Sequence, residues 1–262
     1  MTRTKHVFRQ DVPCLHYAAL GDTAVRIIAI QHLITAYCLD AIIVPPRKEA
    51  LLPLWADVFG ADRVFVSAHD IPNDYRQARV SAPTNLDWSF GTAGWNVFES
   101  VMWENGFFDT ARLKITPPVI YPANHRSRGV MIYPSEQTDG NRVYDSDWWI
   151  GTCRLFREQG YALNHLGGTS HSALRKLYDL IQFDRTFEPS IAGLRDCVAV
   201  SSLAIGGSTG PTWALLLSDI RQIVLESKQS PHGYWFFDRC QNAITKHLDI
   251  VTNLKCLIPT AT

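Results

Sequence analysis

Apolar residues in this chain alternate between short continuous runs and longer stretches in which they recur three and four positions apart, and this switching of period predicts strands alternating with helices. In the first half the run Cys14-Leu-His-Tyr-Ala-Ala-Leu20 predicts a strand over 14–20, and Thr23 to Cys38 a buried helix. Ala41-Ile-Ile-Val-Pro45 gives a second strand, Leu51, Leu52, Trp55 and Phe59 a helix over 47–59, and Arg63-Val-Phe-Val-Ser67 a third strand. From Asp70 to Phe108 the pattern loosens into turns and aromatics. Thr116-Pro-Pro-Val-Ile-Tyr-Pro122 reads as an extended linker, because paired prolines cannot continue a helix.

The second half repeats the same order. Strands are expected at 129–133, 161–166, 203–206 and 220–225, with helices at 147–159 (closed by Gly160), 170–182, 190–202, 211–218 and 235–253. Strand-helix alternation of this kind packs as parallel sheets with right-handed crossovers. The expectation is therefore an α/β chain of two Rossmann-like domains, 1–122 and 123–262, whose strand ends face each other across a cleft, where open α/β proteins take their ligands.

Composition narrows the class. Hydrophobic residues make up 46% and aromatics 11% of the 262 residues, enough for packed cores. Lys plus Arg equals Asp plus Glu at 25 each, so no chain-wide basic field announces a nucleic-acid partner, although Arg112, Lys114, Arg126 and Arg128 gather near the midpoint. The six cysteines include no C-x-x-C pair and read as buried free thiols in a reducing compartment. The first ten residues lack the apolar core of a signal peptide, and no later run approaches the roughly 18 apolar residues of a membrane span, so a cytoplasmic protein is expected. The nine histidines never take H-x-H or H-x-x-x-H spacing, and no metal site is expected.

Two loops carry candidate chemistry. Ala204-Ile-Gly-Gly-Ser-Thr-Gly-Pro211 runs from an apolar strand through small residues into a helix opening on proline, a geometry that presents unpaired backbone N–H groups to an anion. Ala19-Leu-Gly-Asp22 forms the corresponding strand-to-helix loop of the first half. A third stretch, Val130-Met-Ile-Tyr-Pro134, Gly140-Asn-Arg142 and then Trp148-Trp149, sets a basic residue just before an aromatic-rich helix. In chain order, Ala19–Asp22 first and the Ser-Thr-Gly-Pro loop last, the three resemble the landmarks of the GT-B glycosyltransferases, and of the heptosyltransferase-like group within them. Ser208 stands where that group shows Asp before Ser/Thr-Gly-Pro, and Trp213 where it shows His.

The resemblance implies a metal-independent transferase that moves a sugar from a nucleotide-sugar co-substrate to a hydroxyl acceptor, without another cofactor. Asp22 is then the candidate general base, since the acceptor hydroxyl must lose its proton as the new bond forms. Its competing reading is a helix cap. Gly21 leaves room for an acceptor beside it. Arg142 offers a fixed positive charge to the departing diphosphate, with Gly207, Ser208, Thr209 and Gly210 supplying backbone and hydroxyl donors. Glu226, at the cleft edge after strand 220–225, either holds a ribose hydroxyl or is simply exposed to solvent. His165 borders the nucleobase or is a structural histidine. Asp87, Trp88 and Trp95 are the candidate acceptor contacts, with core packing as the alternative for the tryptophans. The acceptor is a glycan or lipid-linked saccharide, or alternatively a hydroxymethylated base in DNA. A sugar-nucleotide epimerase and a non-catalytic nucleotide-binding module stay open beside these.

Overall fold

The computed structural model describes residues 5–9, 20–44, 49–77, 102, 115–134, 146–167, 172–207, 209–226 and 243–247. Within those elements the side chains of residues 9, 22, 42–44, 68, 77, 172–174, 226 and 243–247 lie outside the description. The chain divides into two units, Met1–Ile120 and Tyr121–Thr262.

The first unit is built on a parallel sheet of β1 (Lys5–Arg9), β2 (Asp40–Val44) and β3 (Arg76–Gln77), in the order β2-β1-β3. β1 is central, with Val7 and Phe8 both buried. Sequence periodicity does not reveal it, because only two of its five residues are apolar. The expected strand 14–20 falls outside the described residues except for Leu20, which opens helix α1 (Leu20–Ala36) instead. In α1 every residue from Thr23 to Ile30 is buried, so the helix is covered on all sides rather than along one stripe. It ends at Ala36, and the turn after it places Cys38 in left-handed backbone (φ 50°), its thiol exposed and not buried as expected. Helix α2 (Leu52–Phe59) follows a 3-10 turn at Glu49–Leu51 and buries Leu54, Trp55 and Phe59. The expected strand 63–67 is a 3-10 turn at Ala61–Arg63 and a single bridging residue, Val64. Arg63 is turned inward there, donating from Nε and Nη2 to the Ala41 carbonyl at 2.9 and 2.7 Å.

The second unit holds a six-stranded, wholly parallel sheet: β4 (Gly129–Tyr133), β5 (Ala162–Leu166), β6 (Arg185–Phe187), β7 (Leu203–Gly207), β8 (Arg221–Glu226) and β9 (Ala243–His247). Their spatial order is β6-β5-β4-β7-β8-β9, which is 3-2-1-4-5-6 counted within the unit. Helix α3 (Ser146–Glu158) presents Trp149, Thr152, Cys153 and Phe156 inward, the helical stripe read from sequence, and Gly160 closes it at φ 77°, backbone that glycine adopts without strain. Helix α4 (Ser172–Ile181) adds Leu177 and Ile181 to the same core, which rests on Val130, Ile132, Leu163, Leu203, Ile205, Ile223 and Leu225 of alternate strand positions. On the opposite face lies helix α5 (Ile191–Ala199), opened by Ser190, whose hydroxyl accepts the Gly193 N–H at 3.0 Å.

Two expectations for this unit are overturned. Residues 235–253 do not form one helix: residues 243–247 are β9, paired parallel to β8 from Gln222↔Ala243 to Glu226↔His247. The expected helix 211–218 is one short turn, α6 (Gly210–Ala214), continued by a 3-10 turn at Leu215–Leu217. Strand β6 had no sequence signal, since its residues are exposed or half-buried.

Candidate functional site

In a doubly wound sheet the crevice opens where successive crossovers leave in opposite directions, at the carboxyl ends of the two strands beside that point. Here those strands are β4 and β7, ending at Tyr133 and Gly207. Tyr133 pairs with Gly206, and a Cβ on Gly206 would stand 2.6 Å from Tyr133 Cβ and 2.7 Å from its carbonyl oxygen. Glycine at 206 is therefore demanded by the tyrosine. The Tyr133 hydroxyl is buried against the Cys197 thiol of α5; burial, then Cys197, pushes the phenol well above its ordinary range, and burial takes the thiol up to about 12. Neither group ionises at neutral pH.

Thr209 stands at the N-cap of α6 without its hydroxyl accepting a helix N–H, and Pro211 occupies the first turn. Thr212 Oγ1 donates to the Gly207 carbonyl at 2.7 Å and lies 3.2 Å from Thr209 Oγ1. A hydroxyl has one hydrogen, so Thr212, having given its own to Gly207, accepts from Thr209. The Thr209 N–H in turn donates to the Gly207 carbonyl at 2.9 Å. The Thr209 hydroxyl must turn from Thr212 before it can donate to a phosphate, and its amide is held within the loop. Gly207 and Gly210 flank it at the end of β7 and the start of α6; Ser208 lies outside the described residues.

Glu226 ends β8 at this same carboxyl edge, one strand from Gly207, and its register partner is His247 at the end of β9. His247 joins the edge unannounced by the sequence, because the segment reads as helix. His165, second from the end of β5, is not a surface contact for a base but a core residue. Its ring stacks on Phe183 (4.6 Å between centroids, 16°) and meets the edge of Tyr178 at 4.4 Å. Nδ1 lies 3.0 Å from the Ile132 carbonyl and so carries the proton, while Nε2 is buried without a partner. Burial holds this imidazole below its usual pKa despite the Ile132 bond.

In the first unit Gly21 and Asp22 are the second and third residues of α1 rather than loop residues, and Gly21 is buried. Three residues and four residues on come Val25 and Arg26, and Arg26 is only 2% exposed. Arginine at that burial is rare, and periodicity analysis passes over it as one polar residue in an apolar helix. Arg142, Asp87, Trp88 and Trp95 lie outside the described residues. Among the described residues no three His, Cys, Asp or Glu side chains gather as metal ligands, and no helix is long and apolar enough to cross a membrane.

Comparison with solved structures places this fold among glycosyltransferases. The chain is similar to the E. coli heptosyltransferase WaaC with ADP-2-deoxy-2-fluoro heptose (TM-score 0.56, 11% identity, over 94% of this chain and 93% of that one). It is also similar to a family 9 glycosyl transferase from Veillonella parvula (0.61, 12%, over 99% and 90%) and to E. coli ADP-heptose lps heptosyltransferase II (0.53, 8%, over 97% and 95%). At such identities the likeness is one of fold, and the fold is the α/β fold of the GT-B glycosyltransferases that the sequence motifs resemble. No protein-family profile matches the chain, and no curated protein matches it in sequence.

Proposed function

We propose that this protein is a glycosyltransferase that takes its sugar from a nucleoside-diphosphate sugar, with ADP as the carrier. The observation that supports this most is the likeness over nine-tenths of both chains to the E. coli heptosyltransferase WaaC, seen once with an ADP-heptose analogue and once with ADP. The parallel sheet of the second unit supplies the matching local feature, a switch point between β4 and β7 bordered by Gly207, Thr209 and Gly210.

In this reading the diphosphate lies over the β7–α6 loop, and Arg142 and Ser208 add charge and a hydroxyl. Glu226 holds the ribose from the neighbouring strand. The acceptor oxygen attacks the anomeric carbon, the bond from that carbon to the diphosphate breaks, and ADP leaves with the electron pair. Asp22 takes the acceptor proton. Donors aimed at the departing phosphate supply most of the rate gain, so no metal is needed. Asp87, Trp88 and Trp95 contact the acceptor, a saccharide or lipid-linked glycan.

Nucleoside diphosphates added to the purified chain test the donor half. A ligand that binds only the folded form raises Tm, by several degrees at about a hundredfold excess over Kd, and ADP should do so more than UDP, GDP or CDP. If none of the four moves Tm, the donor assignment fails. With a donor in hand, Asp22→Asn should keep the ADP shift and lower transfer at least about 100-fold in buffer containing EDTA. Release of altered sugar with no acceptor present would instead mark an epimerase.

A further inference from the structure

The hydroxyl hydrogens of the β7–α6 loop are fixed by a count of donors and acceptors. Thr212 is only 2% exposed, and its hydroxyl donates to the Gly207 carbonyl at 2.7 Å. That carbonyl also accepts the Thr209 N–H at 2.9 Å, which takes up its second lone pair. Gly206 leaves the space this needs, since a Cβ on it would stand 3.3 Å from Thr212 Oγ1. Thr212 Oγ1 has then no hydrogen left to give and is an acceptor at a depth where solvent hardly serves it. The Thr209 hydroxyl, 3.2 Å away, is the donor that meets it. Leaving a buried acceptor unmet costs more than one ordinary hydrogen bond returns, so the Thr209 hydrogen stays turned inward. Thr209 itself is half-buried, and with its hydrogen committed its oxygen has only lone pairs to offer a ligand.

We propose that Thr212 is a positioning residue that makes Thr209 a hydrogen-bond acceptor, so that the group held at Thr209 is a hydroxyl of the transferred sugar and not an oxygen of the diphosphate. A phosphate oxygen brings lone pairs and negative charge to this position and is repelled; a sugar hydroxyl brings its own hydrogen and is taken. The inference rests on the nucleotide-sugar reading and adds to it a division of the loop: Thr209 answers the sugar, and the diphosphate draws its donors from other groups. Specificity follows from the same count, because a site that only accepts rejects a ligand with no hydrogen to donate there.

Two measurements test it, the first without any ligand. Neutron diffraction from a deuterium-exchanged crystal of the full-length chain locates hydroxyl deuterons directly, and should show that of Thr212 on the Gly207 carbonyl and that of Thr209 on Thr212. A Thr209 deuteron turned to solvent overturns the proposal. The second is calorimetric binding of ADP and of ADP-glucose, read as the ratio of the two Kd values. In Thr209→Val the preference for ADP-glucose should fall about three- to tenfold, the span of one neutral hydrogen bond, while ADP binds within about twofold of native. Thr209→Ser should keep the native ratio. Thr212→Val frees the Thr209 hydrogen to reach a phosphate oxygen, so it should lower the same preference by tightening ADP, and Thr212→Ser should not. A ratio unchanged in Thr209→Val overturns the proposal, and so does a parallel loss of both ligands, which is what a merely structural role would give. Failure of the donor reading would look different, as a native chain that binds neither nucleotide, and would take the sugar assignment down with it.

Discussion

His165 illustrates what a single residue contributes and what it withholds. Its ring is neutral, proton on Nδ1 toward Ile132, Nε2 bare among Phe183, Tyr178 and Tyr133. Burial lowers its pKa in the folded chain, so as pH falls the unfolded chain takes up the proton first. The stability it permits is full above about pH 6.5 and declines below it, as the unfolded ring takes up the proton before the folded one. Urea denaturation at pH 7.5 and 5.5 should show a smaller difference for His165→Phe than for the native chain. Equal differences would remove His165 as a source of acid sensitivity. Both roles for this histidine were legible in the sequence, as was the clue that decides between them: it alternates with Leu163, whose partners form the core. Asp22 was legible as a candidate through its glycine. Arg26 was not, since its depth depends on what covers α1 from outside the helix.

At the scale of elements, the expected strands β4, β5, β7 and β8 formed: β4 and β7 are buried throughout and carry no charged residue, while β5 and β8 are buried over most of their length around Asn164, His165 and Gln222. β1 and β9 escaped because they are mixed. Lys5-His-Val-Phe-Arg9 and Ala243-Ile-Thr-Lys-His247 each carry only two apolar residues, and their pairing partners supply what their own pattern lacks. The β7–α6 loop was legible as glycine-rich, but sequence could not show what the glycines are for. Gly206 admits Tyr133, so Gly206→Ala forces β4 and β7 apart. Two backbone-proximal contacts below 3.0 Å cannot be relieved by a rotamer change, and the cost should be about 1–3 kcal/mol, measured as a lower urea midpoint. Because the displaced strands frame the proposed diphosphate site, the Tm rise with ADP should shrink in the same variant. A Gly206→Ala chain as stable as the native one would show that the tyrosine can move aside.

For the whole molecule, the informative segment is the one between the units. Prolines 117, 118 and 122 mark it in the sequence, yet the structure divides the chain at Ile120, two residues before the boundary the prolines suggest. The reason is chemical. From Tyr121 onward the chain is fastened to the second unit: Tyr121 bridges to Ser218 and donates its N–H to Leu217 at 3.2 Å, and Ser127 bonds the Val200 carbonyl at 2.5 Å. Asp219 holds the middle, one oxygen accepting the Ala123 N–H at 2.6 Å and the other 2.8 Å from His125 Nε2. No periodicity announces a carboxylate that reaches back 96 residues to a backbone amide. Partial burial pushes this carboxyl up, but the Ala123 and His125 bonds outweigh it and hold it below the ordinary aspartate range. A carboxyl lowered on folding adds stability above its unfolded pKa and loses it only as pH falls through the lowered value, so this fastening persists to below about pH 3.9. Asp219→Ala should therefore speed amide exchange at Ala123 at least about tenfold at neutral pH while the β4 amides stay protected, since opening there is local. His125→Ala, which keeps the backbone bond, should change it less. Equal exchange at Ala123 in the native and Asp219→Ala chains would mean that the Tyr121 and Ser127 bonds hold this segment without Asp219.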